Sequence, residues 1–193
     1  ELTGLANRAL FKQRLHEAGQ RSRQSGQRLA LLHIDLDRLK LLNDSLGHEL
    51  ADQLLRQISK RINQCVPEAH TLARLSGDEF AVLLDGFGSL SSLARMASRL
   101  LSKVRQPITV GGEELVVSAS IGISLLPDNA REISVLLSQA NMAMQHAKHL
   151  GGNTFQFFTD NLQACTLERL QLETQLRKAI TDGQLEVFYQ PKL

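Results

Sequence analysis

The chain has 193 residues, of which 42% are hydrophobic and 22% are charged, and its formal net charge is +2. This composition is typical of a globular protein with one domain and some additional structure, and no apolar run approaches membrane-spanning length. Lysine and arginine are spread along the chain, so no nucleic-acid partner is predicted. Cys65 and Cys165 lie far apart without a CxxC motif, which indicates free thiols in a reducing compartment.

The first half of the chain predicts helices and strands in alternation. Leu29–Asp37, "LALLHIDLD", is almost continuously apolar until its acids, which predicts a central strand buried on both faces. The elements predicted around it are a helix from Leu5 to about Gln24 with Asn7 near its start, a helix capped within Asn43–Ser45 and reaching about Cys65, and two strands, Thr71–Leu75 and Phe80–Leu84.

The second half continues the alternation. Ser89 or Ser91 is a candidate cap for a helix that reaches about Val104, and Glu114–Leu125 predicts one long strand because it is β-branched and alternating. The remaining predictions are a helix over Ile133–Lys148 ended by Gly151 and Gly152, a short strand at "NTFQFF", a helix from about Asp160 to Ile180 and a final strand at "QLEVFYQPKL". This order indicates an α+β fold with a mainly antiparallel central sheet flanked by helices.

Two pairs of acids follow the apolar strands. Asp35 and Asp37 end the first strand, and Asp78 and Glu79 lie in the turn of the predicted hairpin. If the hairpin pairs beside the central strand, these acids meet at one rim of the sheet. Crowded carboxylates repel one another unless a cation neutralises them, and hard oxygen ligands suit Mg²⁺ with substrate phosphates completing its coordination.

The stretch 74–84, "RLSGDEFAVLL", leaves two interpretations open from spacing alone. The acids are solvated residues of an ordinary hairpin turn, or they are ligands of a metal site at its tip. Both interpretations need Gly77, because a turn favours a positive φ there and a phosphate requires a close approach of the backbone. His33, inside the first strand, is interpreted as a core histidine whose ring is hydrogen-bonded.

Five stretches of the chain, in this order, resemble the blocks of a GGDEF domain, the diguanylate cyclase domain of bacterial second-messenger signalling. They are "LTGLANRALF", "LLHIDLDRLKLLNDSLGHELADQLL", "ARLSGDEFAVLL", "SASIGIS" and "ANMAMQHAK". The end of the chain, "LERLQLETQLRKAITDGQLEVFYQPKL", resembles the linker and first strand of an EAL domain, the cyclic di-GMP phosphodiesterase partner. The resemblance implies a GGDEF-like domain at 1–158, a linker helix at 159–183, the start of a truncated EAL-like domain at 184–193, and a fold similar to the nucleotidyl cyclase and polymerase palm.

The resemblance implies a reaction and the residues that serve it. Two GTP molecules, held by two facing domains of a homodimer, are joined into cyclic di-GMP with release of pyrophosphate, with Mg²⁺ or Mn²⁺ as cofactor. The implied metal ligands are Asp35, the Leu36 carbonyl and Asp78, and the implied catalytic residues are Asp78 and Glu79. The implied substrate contacts are Asn43 and Asp52 to guanine and Lys40 and Lys148 to the phosphates. The backbone N–H groups of the turn from Asp37 to Leu39, which includes Arg38, and the backbone at Gly77 are further implied contacts.

Two departures from the family pattern bear on activity. Ser76 replaces the first glycine of the signature, giving SGDEF, and Gly152 stands where the family usually has the arginine of "GRN". The preferred interpretation is an active, magnesium-dependent diguanylate cyclase in a dual GGDEF–EAL protein of the bacterial cytoplasm, with membrane tethering through other segments left open. The alternative is a catalytically weak or inactive GTP-binding module that regulates the adjoining EAL domain, and a purely structural spacer is disfavoured by the intact acids.

Overall fold

The structure is a computed structural model that describes residues 2–39, 41–42, 47–67, 70–162, 175–176 and 178–184, with only the backbone of His48. The chain divides into two compact units, Glu1–Thr159 and Asp160–Leu193. In the second unit, residues 160–162, 175–176 and 178–181 are helical. Residues 163–174 and 177 of the predicted linker helix, and residues 185–193 of the predicted EAL-like start at 184–193, lie outside the described residues.

The first unit contains four long helices and seven strands among its described residues. The helices are α1 (Arg8–Ser25), α2 (His48–Asn63), α3 (Leu90–Val104) and α4 (Ile133–His149). The strands are β1 (Leu29–Leu36), β2 (Thr71–Arg74), β3 (Glu79–Asp85), β4 (Ile108–Val110), β5 (Glu113–Leu115), β6 (Ala119–Leu126) and β7 (Phe155–Phe157). None of the helices in this described part is long and apolar enough to cross a membrane.

Five strands form one sheet in the order β2-β3-β1-β6-β7. Strand β1 lies at its centre and is antiparallel to both neighbours, β3 and β6, whereas β7 is parallel to β6. All eight residues of β1 are buried. The prediction of a mainly antiparallel sheet with a central, fully buried first strand is therefore confirmed.

Helices cover both faces of this sheet, and the residues of β1 alternate between them. Ala30, Leu32, Ile34 and Leu36 belong to the core shared with α2 and α3, whereas Leu29 and Leu31 belong to the core shared with α1 and α4. By the same period of two, His33 and Asp35 lie on the face covered by α1 and α4. The alternation thus directs Asp35 toward the C-terminal end of α4.

Three local predictions can be compared with the structure. Asn7 caps α1 as expected, since its Oδ1 accepts a hydrogen bond from the N–H of Leu10 at 2.9 Å. Helix α2 begins at His48, with Gly47 as its N-cap and no side-chain cap, and the predicted caps at 43–45 lie outside the described residues. The single strand predicted over Glu114–Leu125 is wrong, because β5 forms a separate two-stranded hairpin with β4 before β6 begins.

Candidate functional site

Asp35 and Lys148 form an ion pair at the end of β1. The Lys148 Nζ lies 2.6 Å from Asp35 Oδ1, and the Asp35 side chain is 8% exposed against 31% for Lys148. Lys148 stands in the last turn of α4, beside the sheet face on which Asp35 lies. The structure therefore joins these two predicted site residues directly, whereas the sequence assigned one to a metal and the other to phosphates.

The surroundings of Asp35 favour its protonated form. Burial, helped by the negative charges of Asp78 and Glu79, raises the pKa of Asp35 to about 6. The Lys148 ammonium opposes this by stabilising the carboxylate. The carboxylates of Asp35, Asp78 and Glu79 outnumber the one ammonium that contacts Asp35, and this local charge balance favours binding of a cation.

The β2–β3 hairpin brings its acids to the same rim. Glu79 stands directly opposite Asp35 in the antiparallel pairing of β1 with β3. The N–H of Leu36 donates to the carbonyl of Asp78 at 3.1 Å, which ties the turn to the end of β1. The predicted meeting of Asp35, Asp78 and Glu79 at one edge of the sheet is therefore what the structure has.

The turn of the hairpin is closed by its own residues. The N–H of Leu75 donates to the carbonyl of Glu79 at 2.8 Å, and Ser76 Oγ donates to Glu79 Oε2 at 2.7 Å. Gly77 does not have the positive φ that the sequence analysis expected, and a Cβ added there would meet nothing within 4 Å. That expectation is wrong because the Ser76–Glu79 turn closes without a left-handed residue.

Arg74 is a residue of this site that the sequence analysis missed. Its Nε and Nη2 donate to the carbonyl of Gly77 at 3.1 and 2.8 Å, so the guanidinium stabilises the turn by two hydrogen bonds. Burial lowers the pKa of Arg74, and the charges of Asp52 and Asp78 oppose that change. Its position two residues before the turn, at the end of a strand, was the available signal. Asp52, the predicted guanine contact on α2, is thereby placed within electrostatic reach of the hairpin.

Asp37 is bonded within the protein on three sides. Its Oδ2 accepts from Ser118 Oγ at 2.7 Å and from the N–H of Asn153 at 3.0 Å, and its Oδ1 accepts from Ser120 Oγ at 2.7 Å. A Cβ added to Gly152, which has a φ of +75°, would lie 2.9 Å from Asp37 Oδ2. Asp37 therefore differs from the other acids of the rim, because its hydrogen bonds connect the end of β1 with β6 and with the turn after α4.

The remaining predicted contacts lie partly outside the described residues. Lys40 and Asn43 are among the residues that the structure does not describe. Arg38 has a φ of +58° and turns the chain away from β1, and Leu39 is buried. The N–H of Asp37 is already donated to the carbonyl of Ser118 at 2.9 Å, so this part of the expected phosphate-binding turn is used by the sheet.

The residues at the rim offer Mg²⁺ part of its coordination, and the phosphates of a substrate would supply more of it. Across the described ranges, no three carboxylate, imidazole or thiol side chains converge closely enough to hold an ion by themselves. Mg²⁺ is commonly bound through one or two carboxylates together with substrate phosphates. Asp35 already has a cation, the Lys148 ammonium, at its Oδ1, which shows that this position accommodates positive charge.

Comparison with known proteins places these features in a family. The family model "Diguanylate cyclase, GGDEF domain" matches residues 1–154. The chain is 40% identical, over all of its length, to the cyclic di-GMP phosphodiesterase NbdA of Pseudomonas aeruginosa and to the bifunctional diguanylate cyclase/cyclic di-GMP phosphodiesterase MucR of the same organism. It spans only 24% and 28% of these two relatives.

A solved structure agrees with this assignment. The GGDEF domain of TpbB from Pseudomonas aeruginosa superposes with a TM-score of 0.83 at 37% identity, covering 86% of this chain and 98% of that one. The family model covers well over half of the chain, and the fold, the hairpin and the acids at its rim lie within the matched residues. The chain belongs to the diguanylate cyclase GGDEF-domain family.

Proposed function

We propose that this domain binds GTP with Mg²⁺ and condenses two GTP molecules into cyclic di-GMP, releasing pyrophosphate. The observation that carries the proposal is the juxtaposition at the rim, where Asp35 stands opposite Glu79 and the turn at Asp78 is bonded to Leu36. Family membership supports the same reaction. Because each product molecule needs two GTP molecules, we propose that two copies of the domain face each other during turnover.

The residues present fit the roles that this reaction needs. Asp35, Asp78 and the Leu36 carbonyl would hold the ion, which would neutralise the phosphates and lower the pKa of the attacking hydroxyl. Asp78 and Glu79 would accept the proton of that hydroxyl, since both carboxylates lie at the tip of a rigid hairpin. Asp52 would bind guanine, and Lys148 would neutralise phosphate charge once the nucleotide is present.

A second candidate function is a GTP-binding regulatory module for an adjoining EAL phosphodiesterase domain. Gly152 favours it, because this position supplies no side chain for a phosphate and its space is closed by Asp37. The relative NbdA is named for phosphodiesterase activity, which is consistent with a GGDEF-type domain serving that activity. In either role we propose that the domain acts in the bacterial cytoplasm as part of a larger signalling protein.

One experiment separates the two candidates. The purified chain is incubated with GTP and Mg²⁺, and cyclic di-GMP and pyrophosphate are measured by chromatography and a coupled assay. Product that disappears in Asp78→Ala, but persists in Glu113→Ala, supports the cyclase. Glu113 is a matched control, because it is an exposed carboxylate on the separate β4–β5 hairpin. Nucleotide binding without product favours the regulatory module, and no nucleotide binding contradicts both.

A further inference from the structure

Lys148 contacts Asp35, which the proposed function makes a metal ligand, although the same proposal assigns Lys148 to the phosphates of the nucleotide. Its ammonium lies 2.6 Å from Oδ1 of Asp35, a residue that the proposed function assigns to a divalent cation. One carboxylate oxygen cannot have both cations at contact distance without strong repulsion between them. Binding of the ion at this oxygen therefore requires the lysine to leave, and binding at Oδ2 of the same carboxylate is opposed by the nearby ammonium.

The helix that carries Lys148 is fixed, so only the side chain can make this movement. Helix α4 packs directly on β6 at Gly122, where an added Cβ would lie 1.9 Å from the carbonyl oxygen of Ala140 and 2.2 Å from the nitrogen of Met144. Lys148 follows Met144 by one helical turn, on the same side of α4. Its side chain is 31% exposed, and the four-carbon stem of lysine is flexible, so the ammonium can swing toward solvent while the helix stays in place.

The ionised form of Asp35 is stabilised by a cation beside it. Its side chain is 8% exposed, and a buried carboxylate without a partner is strongly unfavourable. Asp78 and Glu79 add negative charge beside it. The Lys148 ammonium supplies this cation in the empty site.

We propose that Lys148 is an exchangeable counter-ion: it neutralises Asp35 in the empty site, is displaced by the divalent cation, and then moves to the phosphates of the nucleotide. The proposal rests on the proposed function for its last step. It gives one residue opposite effects on two ligands, because Lys148 competes with the cation and assists the nucleotide. A lysine that only stabilised the fold would not have this pair of effects.

The test measures the two ligands separately in the Lys148→Met variant. Mn²⁺ binding without nucleotide is followed by electron paramagnetic resonance, and binding of a fluorescent GTP analogue is measured with excess EDTA. We expect Mn²⁺ to bind roughly tenfold more tightly than in the wild type and the analogue to bind roughly tenfold more weakly. Lys103→Met is the matched control, since it removes a lysine from the last turn of α3, and it should change neither affinity.

The outcomes distinguish the exchange from the proposed function. Unchanged, weaker or undetectable Mn²⁺ binding in folded Lys148→Met overturns the exchange, whatever the nucleotide does. Tighter Mn²⁺ binding with no binding of the GTP analogue to the wild type, even with Mg²⁺ present, supports displacement at Asp35 but contradicts the proposed function. Thermal denaturation monitors folding, and Lys148→Arg, which keeps the charge, should return Mn²⁺ affinity toward the wild-type value.

Discussion

The hydroxyl of Ser76 donates a hydrogen bond to Oε2 of Glu79, 2.7 Å away, across the turn that carries the acids. Ser76 is the departure from the GGDEF signature, so the substituted residue holds a signature acid. The serine side chain follows the edge of the turn and leaves the backbone hydrogen bonds of the hairpin intact. The variant signature is therefore compatible with a properly formed hairpin.

This bond predicts a measurable coupling between the two residues. In a double-mutant cycle of Ser76→Ala and Glu79→Ala, we expect a coupling free energy of about 0.5–1 kcal/mol, since the bond is exposed to solvent. Urea denaturation of the four proteins measures it. Ser76→Thr retains the hydroxyl and should keep most of the stability. A coupling of zero would show that the bond does not persist in solution.

The contact of α4 with β6 predicts a large difference between two glycine substitutions. Gly122→Ala places a methyl group against the backbone of Ala140 and Met144, so we expect the free energy of unfolding to fall by about 1–3 kcal/mol. Gly77→Ala meets no atom and requires no left-handed backbone, so its stability should stay within about 0.5 kcal/mol of the wild type. Chemical denaturation of both variants is sufficient. Equal effects would contradict the close packing at Gly122.

The raised pKa of Asp35 predicts that its contribution to stability falls with rising pH. The pKa of Asp35 is about 6 in the folded protein and 3.8 in the unfolded chain, so the folded protein binds the proton more tightly. The stabilisation is complete below pH 3.8 and is lost as the pH rises through 6. Relative to Asp35→Asn, the wild type should lose about 1.4 kcal/mol between pH 5 and pH 8. Denaturant titrations at both pH values measure it, and a constant difference would contradict the shift.

His33 predicts the opposite dependence. The histidine is 4% exposed, neither ring nitrogen has a hydrogen-bond partner in the described part of the chain, and burial lowers its pKa from 6.5. His33 is therefore a core histidine as interpreted, but the hydrogen bond expected for its ring is not found among the described residues. Because the unfolded chain binds the proton more tightly, stability is lost as the pH falls below 6.5, by at most about 1.4 kcal/mol per pH unit.

The variant His33→Leu isolates this effect. Leucine retains the volume of the side chain and has no proton to bind, so its stability advantage over the wild type should grow between pH 7.5 and pH 5.5. Thermal denaturation at matched ionic strength measures the difference. An advantage that is independent of pH would show that His33 titrates as it does in the unfolded chain.

The sheet was predictable where hydrophobic pattern alone decides the structure. Strand β1 is apolar at nearly every position, which only a central strand tolerates, and its acids therefore had to lie at its end. The β4–β5 hairpin was missed because the β-branched run continues from Glu114 into β6. The Gly111–Gly112 turn between its strands was the neglected signal, and both glycines have positive φ.

The candidate site was predictable only in outline. Spacing brought Asp35, Asp78 and Glu79 to one rim, because strand pairing depends on local pattern. The Lys148–Asp35 ion pair joins residues 113 positions apart in sequence and depends on how α4 packs against the sheet. The partners of Asp37 are serine hydroxyls and a backbone N–H, which are too common in a sequence to indicate a specific contact.

The three hydrogen bonds that Asp37 accepts restrict which side chains can stand at position 152. Replacing Gly152 with arginine would require a side chain at a left-handed backbone position, with its Cβ 2.9 Å from Asp37 Oδ2. A single substitution would therefore disturb Asp37 and the three segments that it joins before the new guanidinium reached a phosphate. We therefore expect positions 37 and 152 to be coupled: an arginine at position 152 requires the Asp37 carboxylate to shift, and that shift weakens the hydrogen bonds by which Asp37 joins the three segments.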